Sequence, residues 1–397
     1  MEIETSTALF ADAVKPSARQ EIVPLEQALG RVLAEDIYAP INVPHFPKAA
    51  MDGYALRAND TFTASTAAPC ELNIVAKIYA GESLNIAYAP KTCVRIMTGA
   101  PVPAGYDCVV KQEDVLLKDN VCLISKPLKQ YENYCDVAED VRQGSLLMRR
   151  GTLLQPVHLG VLASCGLQSV AVLCKLKAAL LTTGTELVSL GQQLQAGKIY
   201  NSLGYLLGAA LQKQGIDFTT ALCEDEESKL AKALNSMSGT ADIIITTGGV
   251  SVGEKDLLPK VMKQLGAKCV FAKVNIQPGG ATQGWFLGEK PVLCLSGNPY
   301  AAFANFELYF WDLASKLLSC EALKVKQGNA RLKQAVTKQI SRRRLLRAYA
   351  DEGWVEVLTE GHRASAISDL LKCNCFVDVK SDQNLAAGAM VKIRYFK

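Results

Sequence analysis

"ADIIITTGGVSVGEKD", residues 241–256, opens on a short apolar run, breaks at paired glycines and ends with acids at Glu254 and Asp256. A run rich in isoleucine that stops at glycine reads as a strand covered on both faces. The glycines then bring backbone N–H groups to the strand's carboxyl end, where an anion can be held. "KAALLTTG" (177–184) and "KPVLCLSGNP" (290–299) repeat the plan. Between these runs lie helix-spaced segments: "SLGYLLGAALQKQG" (202–215), "EESKLAKALNSM" (226–237), "DLLPKVMKQLG" (256–266) and "AAFANFELYFWDLASKLL" (301–318). Strand and helix in alternation predict βαβ units, hence a parallel sheet with helices on both faces over 175–322. Ligands of such sheets sit at the carboxyl ends of strands, where all three glycine turns fall.

The flanking sequence has a different texture. Short β-like runs, "ELNIVAKIYA", "CVRIMTG", "DCVVKQEDVLL" and "VCLISKPL", fill 71–128 and predict a small β domain. The last 75 or so residues alternate apolar and polar side chains in "GWVEVLTE", "CNCFVDVKSD" and "AMVKIRYF", as a β domain or barrel does. Nearer the N-terminus, "LEQALGRVLAEDI" (25–37) has helical spacing, and prolines 40, 44 and 47 stiffen the stretch that follows it. The expected fold is therefore multidomain α/β: 1–44 with 133–174 as a helical and extended linker domain, 45–132 as an inserted β domain, 175–322 as the sheet domain and 323–397 as a C-terminal β domain.

Composition narrows the function classes. Of 397 residues, 49% are hydrophobic and 21% charged, and the formal net charge of +4 is spread along the chain. The densest basic cluster, "SRRRLLR" (341–347), is too small to make a nucleic-acid surface and suits a phosphate-bearing small molecule better. No apolar stretch reaches a membrane-spanning length, so neither nucleic acid nor membrane is an expected partner. The 13 cysteines follow no zinc-ligand repeat, and "MEIETSTALF" lacks the pattern of a signal peptide. A reduced, cytoplasmic protein is expected, with most thiols acting as small core residues.

The glycine turns carry the chemistry. None is a Walker loop or a dinucleotide fingerprint, because no Gly-Lys-Ser/Thr and no GxGxxG follows. Thr183, Gly184, Gly248, Gly249, Ser251, Gly297, Asn298 and Pro299 supply N–H groups, hydroxyls and a helix start suited to phosphate. Carboxylates beside a phosphate repel it unless a cation intervenes, so Glu186 and Asp256 are the expected ligands of a divalent metal such as Mg²⁺. Asp225, in "CEDEES", is a further acid of the same kind. Only His45, His158 and His362 are present, too few and too remote from the turns for histidine-based catalysis.

Read in order, "FPKAAMDGYAL", "RIMTGAPVPAGYDCVVKQED", "LLTTGTELVSLGQQLQAGKIYNS", "ADIIITTGGVSVGEKD" and "LSGNPYAAF" resemble the molybdopterin molybdenumtransferase family, the molybdenum-insertion enzymes related to the gephyrin E domain. The resemblance continues through "GHRASAISDLLKCNCFV" (361–377). It implies an elongated homodimer of four-domain chains whose sheet domain is similar to molybdopterin adenylyltransferase, with possible contact between the two enzymes. The implied reaction takes adenylylated molybdopterin and molybdate, inserts molybdenum and releases AMP with divalent-metal help. By motif, Asp52, Thr98, Glu186, Asp225 and Asp256 match catalytic positions. Asp140, Lys273 and Ser365 match positions lining the cleft, with Lys273 for an anion.

Departures from the family pattern lie near the same cleft. Gln277 stands where the family shows a second lysine before Pro-Gly, Ser296 replaces a proline, Cys135 an arginine and Leu203 an asparagine. A cation lost beside an oxyanion weakens binding by about 1.5–3 kcal/mol. An alternative is therefore a paralogue of altered specificity, inserting tungstate or serving as a non-catalytic pterin carrier.

Overall fold

The computed structural model describes residues 1–250, 257–358 and 363–397. Among these, one compact unit comprises residues 1–35, 150–155 and 169–397, and a second comprises 36–149 and 156–168. This grouping is coarser than the four expected domains.

At the centre of the first unit is a six-stranded sheet made of Lys177–Thr183 (β1), Asp217–Cys223 (β2), Ile243–Thr247 (β3), Lys268–Phe271 (β4), Gln283–Leu287 (β5) and Lys290–Leu295 (β6), in the order β2-β1-β3-β6-β5-β4. The first four strands in that order pair in parallel, and β5 and β4 continue antiparallel. Successive side chains alternate between two cores, as a pleated strand requires. Ala178, Leu180, Ile243, Ile245, Leu293 and Leu295 face a core with helices Ile3–Asp12 (α1), Ser202–Lys213 (α2) and Pro299–Leu317 (α5). Ala179, Leu181, Ile244, Val292 and Cys294 face helices Glu227–Thr240 (α3) and Leu258–Gln264 (α4). The result is the three-layer arrangement that the glycine-ended runs predict. Helix α5 is buried almost throughout because its aromatic residues pack on one another: Phe306 stacks on Phe310 at 4.7 Å and Trp311 meets both edge-on.

Gln327–Leu332 (β7), Arg343–Asp351 (β8), Trp354–Val357 (β9), Cys375–Val379 (β10) and Met390–Tyr395 (β11) run in the order β8-β9-β7-β11-β10, and β10 pairs back on β8 to close a five-stranded barrel. Leu332, Leu346, Ala348, Val355, Val377 and Ile393 belong to its core. Residues Ile276–Gln277 run parallel to the start of β8, with Gln277 opposite Arg344.

The helical spacing of 25–37 is overruled. Only Leu25–Gln27 forms a 3₁₀ turn, after which Val32 bridges Leu153 and Leu33 bridges Val172. Gly30, at φ 73°, turns the chain and donates to the Leu154 carbonyl at 2.9 Å, so tertiary pairing wins over local periodicity. Just before this stretch, Gln20–Pro24 pairs antiparallel with Ser169–Leu173.

In the second unit, a six-stranded sheet runs in the order Cys108–Lys111, Gly53–Leu56, Thr92–Ile96, Cys70–Ile78, Val121–Ile124, Val115–Lys118. Helix Pro156–Ser164 ends at Gly166, whose φ of 77° closes it. Eight of the 13 free cysteines are buried, which fits small core residues, and among the described residues no helix is long and apolar enough to cross a membrane.

Candidate active site

Parallel register sets the three glycine turns side by side. Thr182 lies opposite Thr247, and Thr247 opposite Leu295, so β1, β3 and β6 end together. The Gly248 N–H donates to the Leu295 carbonyl at 3.0 Å, and Gly184 donates to the Cys223 carbonyl at 3.2 Å. Gly248 has φ 92°, and a Cβ there would stand 2.4 Å from the Thr183 carbonyl oxygen, so only glycine lets the turns approach. Together the turns wall a cavity of about 790 Å³, large enough for a nucleotide-sized ligand.

Glu186 and Asp225 line this cavity. Asp225 accepts from the Thr185 N–H at 3.2 Å, while the Glu186 carboxylate folds back to within 2.9 Å of where a Gly184 Cβ would be. Lys198 reaches the same turn but donates to the Thr185 carbonyl at 2.6 Å. Among the described residues no ion pair neutralises either acid, and no group of three or more His, Cys, Asp or Glu forms a ready-made metal cage.

On the far wall, α5 starts at Pro299. Its Tyr300 N–H donates to the Ala364 carbonyl at 2.9 Å, which brings the neighbouring Ser365 to the cavity's edge. Ser296 accepts from the Asn298 N–H at 3.2 Å, a helix-entry contact that a proline in its place could not make. A second cavity of about 390 Å³ shares Gly279, Gly280, Ser296 and Asn298 with the first, and adds Gln277 and Arg342. Gly279 (φ 88°) is fixed by close approach, since a Cβ would fall 2.0 Å from Asn305 Nδ2. Asn305 in turn donates to the Pro278 carbonyl at 3.1 Å.

A family model described as the N-terminal region, domains I and II, of MoeA matches residues 1–166, and one described as a probable molybdopterin binding domain matches 179–315. The molybdopterin molybdenumtransferase of Haemophilus influenzae is 34% identical over 391 residues, covering 95% of this chain and 94% of that one. This chain belongs to the molybdopterin molybdenumtransferase family. The enzyme of that name from Staphylococcus epidermidis is 33% identical over 358 residues, covering 88% and 85% of the two chains. A crystal structure of the molybdopterin biosynthesis MoeA protein from Pyrococcus horikoshii OT3 superposes with a TM-score of 0.88 at 27% identity, covering 100% of both chains. A second crystal structure, also described as a molybdopterin biosynthesis MoeA protein from Pyrococcus horikoshii, gives 0.87 at 30% identity, covering 100% of this chain and 99% of the other. The protein is thus a transferase of molybdenum cofactor biosynthesis.

In this transferase the first unit brings together Thr183, Gly184, Glu186, Asp225, Gly248, Gly249, Gly297, Asn298, Pro299 and Ser365. Lys273 is exposed and lines neither cavity; its carbonyl receives the Met1 amino group at 3.4 Å. Ser251 and Asp256 lie outside the described residues, as do Glu254 and His362. The second unit holds Asp52, Thr98 and Asp140. There Asp52 Oδ1 accepts from both the Thr98 N–H and the Thr98 hydroxyl, each at 2.7 Å. These bonds, the backbone one first, hold the Asp52 carboxyl below the usual carboxylate range. Asp140 is exposed, and its N–H donates to the Val43 carbonyl at 3.0 Å. The Cys135 thiol is pushed up by burial and by its hydrogen bond with Glu139.

Sequence reasoning missed Asn201. Its Oδ1 accepts from the Gly204 N–H at 3.0 Å, capping α2, while its Nδ2 donates to Thr182 Oγ1 at 2.8 Å and ties that cap to β1. An asparagine just before a helix-spaced run was the available signal. Leu203 sits 6% exposed in the core beneath the cavity wall, so an apolar residue is accommodated there.

Proposed function

We propose that this transferase binds adenylylated molybdopterin across the larger cavity and inserts molybdenum from molybdate with release of AMP. The observation that carries the reading is the pair Glu186 and Asp225, two carboxylates without a cation partner among the described residues, facing a cavity walled by glycine turns. Oxygen donors of that kind suit Mg²⁺, which would be held by Glu186 with Asp225 and, from the sequence, Asp256. When bound, the ion supplies charge neutralisation for the pyrophosphate that is cleaved. The chain's own part is positioning: N–H groups of Gly249 and Gly297 and the Ser365 hydroxyl orient the phosphates, Gly184, Gly248 and Thr183 hold the turns in place through their own hydrogen bonds, and the wall at Asn298 and Pro299 excludes water from one side. The family motifs alone assign a catalytic role to Asp52, whose charge Thr98 stabilises, and to Thr98, and a substrate-binding role to Asp140 and to Lys273, which lines neither cavity. The homodimer, the cytoplasmic setting and hand-over from molybdopterin adenylyltransferase belong to the same reading. Purified protein incubated with adenylylated molybdopterin, Mg²⁺ and molybdate should release AMP and yield active cofactor; saturating substrate without either product overturns the proposal.

A second reading is motivated by Gln277, a neutral amide in the smaller cavity where the family shows lysine. With one cation fewer, the oxyanion is held more by hydrogen bonds and by Arg342, and tungstate becomes a competent substrate. Competition between molybdate and tungstate at limiting concentration decides it: a strict molybdate preference unchanged in Gln277→Lys removes Gln277 from oxyanion choice.

A further inference from the structure

Arg347 is the one fully buried arginine among the described residues, at 0% exposure on β8. Its guanidinium carbon lies 4.1 Å from the Tyr300 ring centroid. Nη1 donates to the Ala366 carbonyl at 2.5 Å, Nη2 pairs with the Asp369 carboxylate at 3.3 Å without a hydrogen bond, and Nε has no hydrogen-bond partner either. The Tyr300 hydroxyl donates to the Leu345 carbonyl, while its N–H holds the Ala364 carbonyl. Ser365 is therefore bracketed: the carbonyl before it is held by the start of α5, and the carbonyl after it by Arg347. Ala364 lines the smaller cavity and Ser365 the larger, so this short segment stands where the two meet.

A buried guanidinium with incomplete hydrogen bonding is a poor way to stabilise a core, because an apolar side chain of similar volume serves as well or better. Its geometry is specific, however. Only a planar fork can stack on Tyr300 while reaching a carbonyl and a carboxylate on another segment; lysine offers a point charge and no face. We infer that Arg347 is a positioning residue for the transfer reaction, seating the Ala364–Ser365–Ala366 backbone so that Ser365 meets substrate bound in the larger cavity. The inference rests on the proposed use of that cavity for the pterin nucleotide.

The test is a double-mutant cycle in the full-length protein, with KM for adenylylated molybdopterin, kcat and Tm as readouts. Arg347→Lys should raise KM about tenfold or more with a smaller change in kcat, as a displaced contact does. Ser365→Ala alone should also raise KM, and adding it to Arg347→Lys should change nothing further. Additive effects, or an Arg347→Lys protein with lower Tm but unaltered KM, overturn the inference and leave Arg347 merely structural. Ser365→Ala with wild-type KM overturns it as well. Should Arg347→Lys fail to fold, Asp369→Asn, at the more exposed end of the ion pair, must show the same non-additivity with Ser365→Ala at smaller amplitude, and additivity there counts against the inference. Wild-type protein that releases no AMP sinks the functional reading, and the inference with it, so the two failures are told apart by the wild-type control.

Discussion

The two ends of the parallel sheet treat their acids in opposite ways. At the amino end, before β3, Asp242 is closed in by cations and a backbone donor: Arg19 at 2.5 Å, Lys290 at 3.8 Å and the Lys177 N–H at 3.0 Å. At the carboxyl end Glu186 and Asp225 face a cavity and, among the described residues, form no ion pair. An acid whose charge is answered inside the chain contributes to folding; one whose charge is left open is available to something from outside. The contrast teaches where to look for chemistry without reference to any motif.

The largest test removes the open charge. Glu186→Gln keeps the size of the side chain and should cut AMP release by about a hundredfold or more, the scale for losing a charge that acts on a transition state. Raised Mg²⁺ should restore part of the rate, and the Tm should stay within a degree or two, as expected for a surface change away from the core. Unimpaired turnover would place Glu186 on the structural side of the comparison.

An acid inside the core sharpens the comparison. Glu307 on α5 accepts from Trp311 Nε1 and from the Lys397 N–H, each at 2.9 Å, with no ion pair among the described residues. Burial pushes its carboxyl from the usual 4.5 up to about 7, against those two hydrogen bonds. The folded state thus holds this proton more tightly than the unfolded chain. Its contribution to stability is full below the unfolded value and is lost as pH rises through the folded one. The loss is on the order of 3 kcal/mol at most. Urea midpoints at pH 5 and pH 8 should show the decline in the wild type and a flatter profile in Glu307→Gln; equal slopes would deny Glu307 the part.

The smallest effect is expected at the closed end. Asp242→Asn keeps one acceptor for the Lys177 N–H and loses two partly exposed ion pairs, so it should cost about 1 kcal/mol of stability. Turnover should stay at the wild-type level, measured side by side with Glu186→Gln. A fall in activity at constant Tm would break the distinction between the two ends.

What the sequence disclosed followed from locality. Strands β1, β3 and β6 each carry an apolar run and its terminating glycine within a few residues, so their identity and their shared edge could be read directly. Glu186 follows its own glycine turn by two residues and was legible for the same reason. Partners from distant parts of the chain were not. Nothing near Asn201 announces Thr182, nothing near Arg347 announces Tyr300 or Ala366, and the apparent helix at 25–37 gave way to bridges with 153 and 172. A buried polar contact is decided by which surfaces meet, and that is tertiary information.

The pairing of Gln20–Pro24 with Ser169–Leu173 has a temporal meaning. Everything from 36 to 149 must leave the ribosome before that partner strand exists, which at roughly 5–20 residues per second leaves the first strand waiting for many seconds. Helix α1 waits longer, because Phe10 packs edge-on against Phe271 and Phe286 at 5.7 and 5.6 Å. During that interval an apolar N-terminal segment has nowhere of its own to go. The second unit can complete its sheet first, and a nascent chain stalled just past 168 should expose that segment to chaperones while already carrying a folded insert.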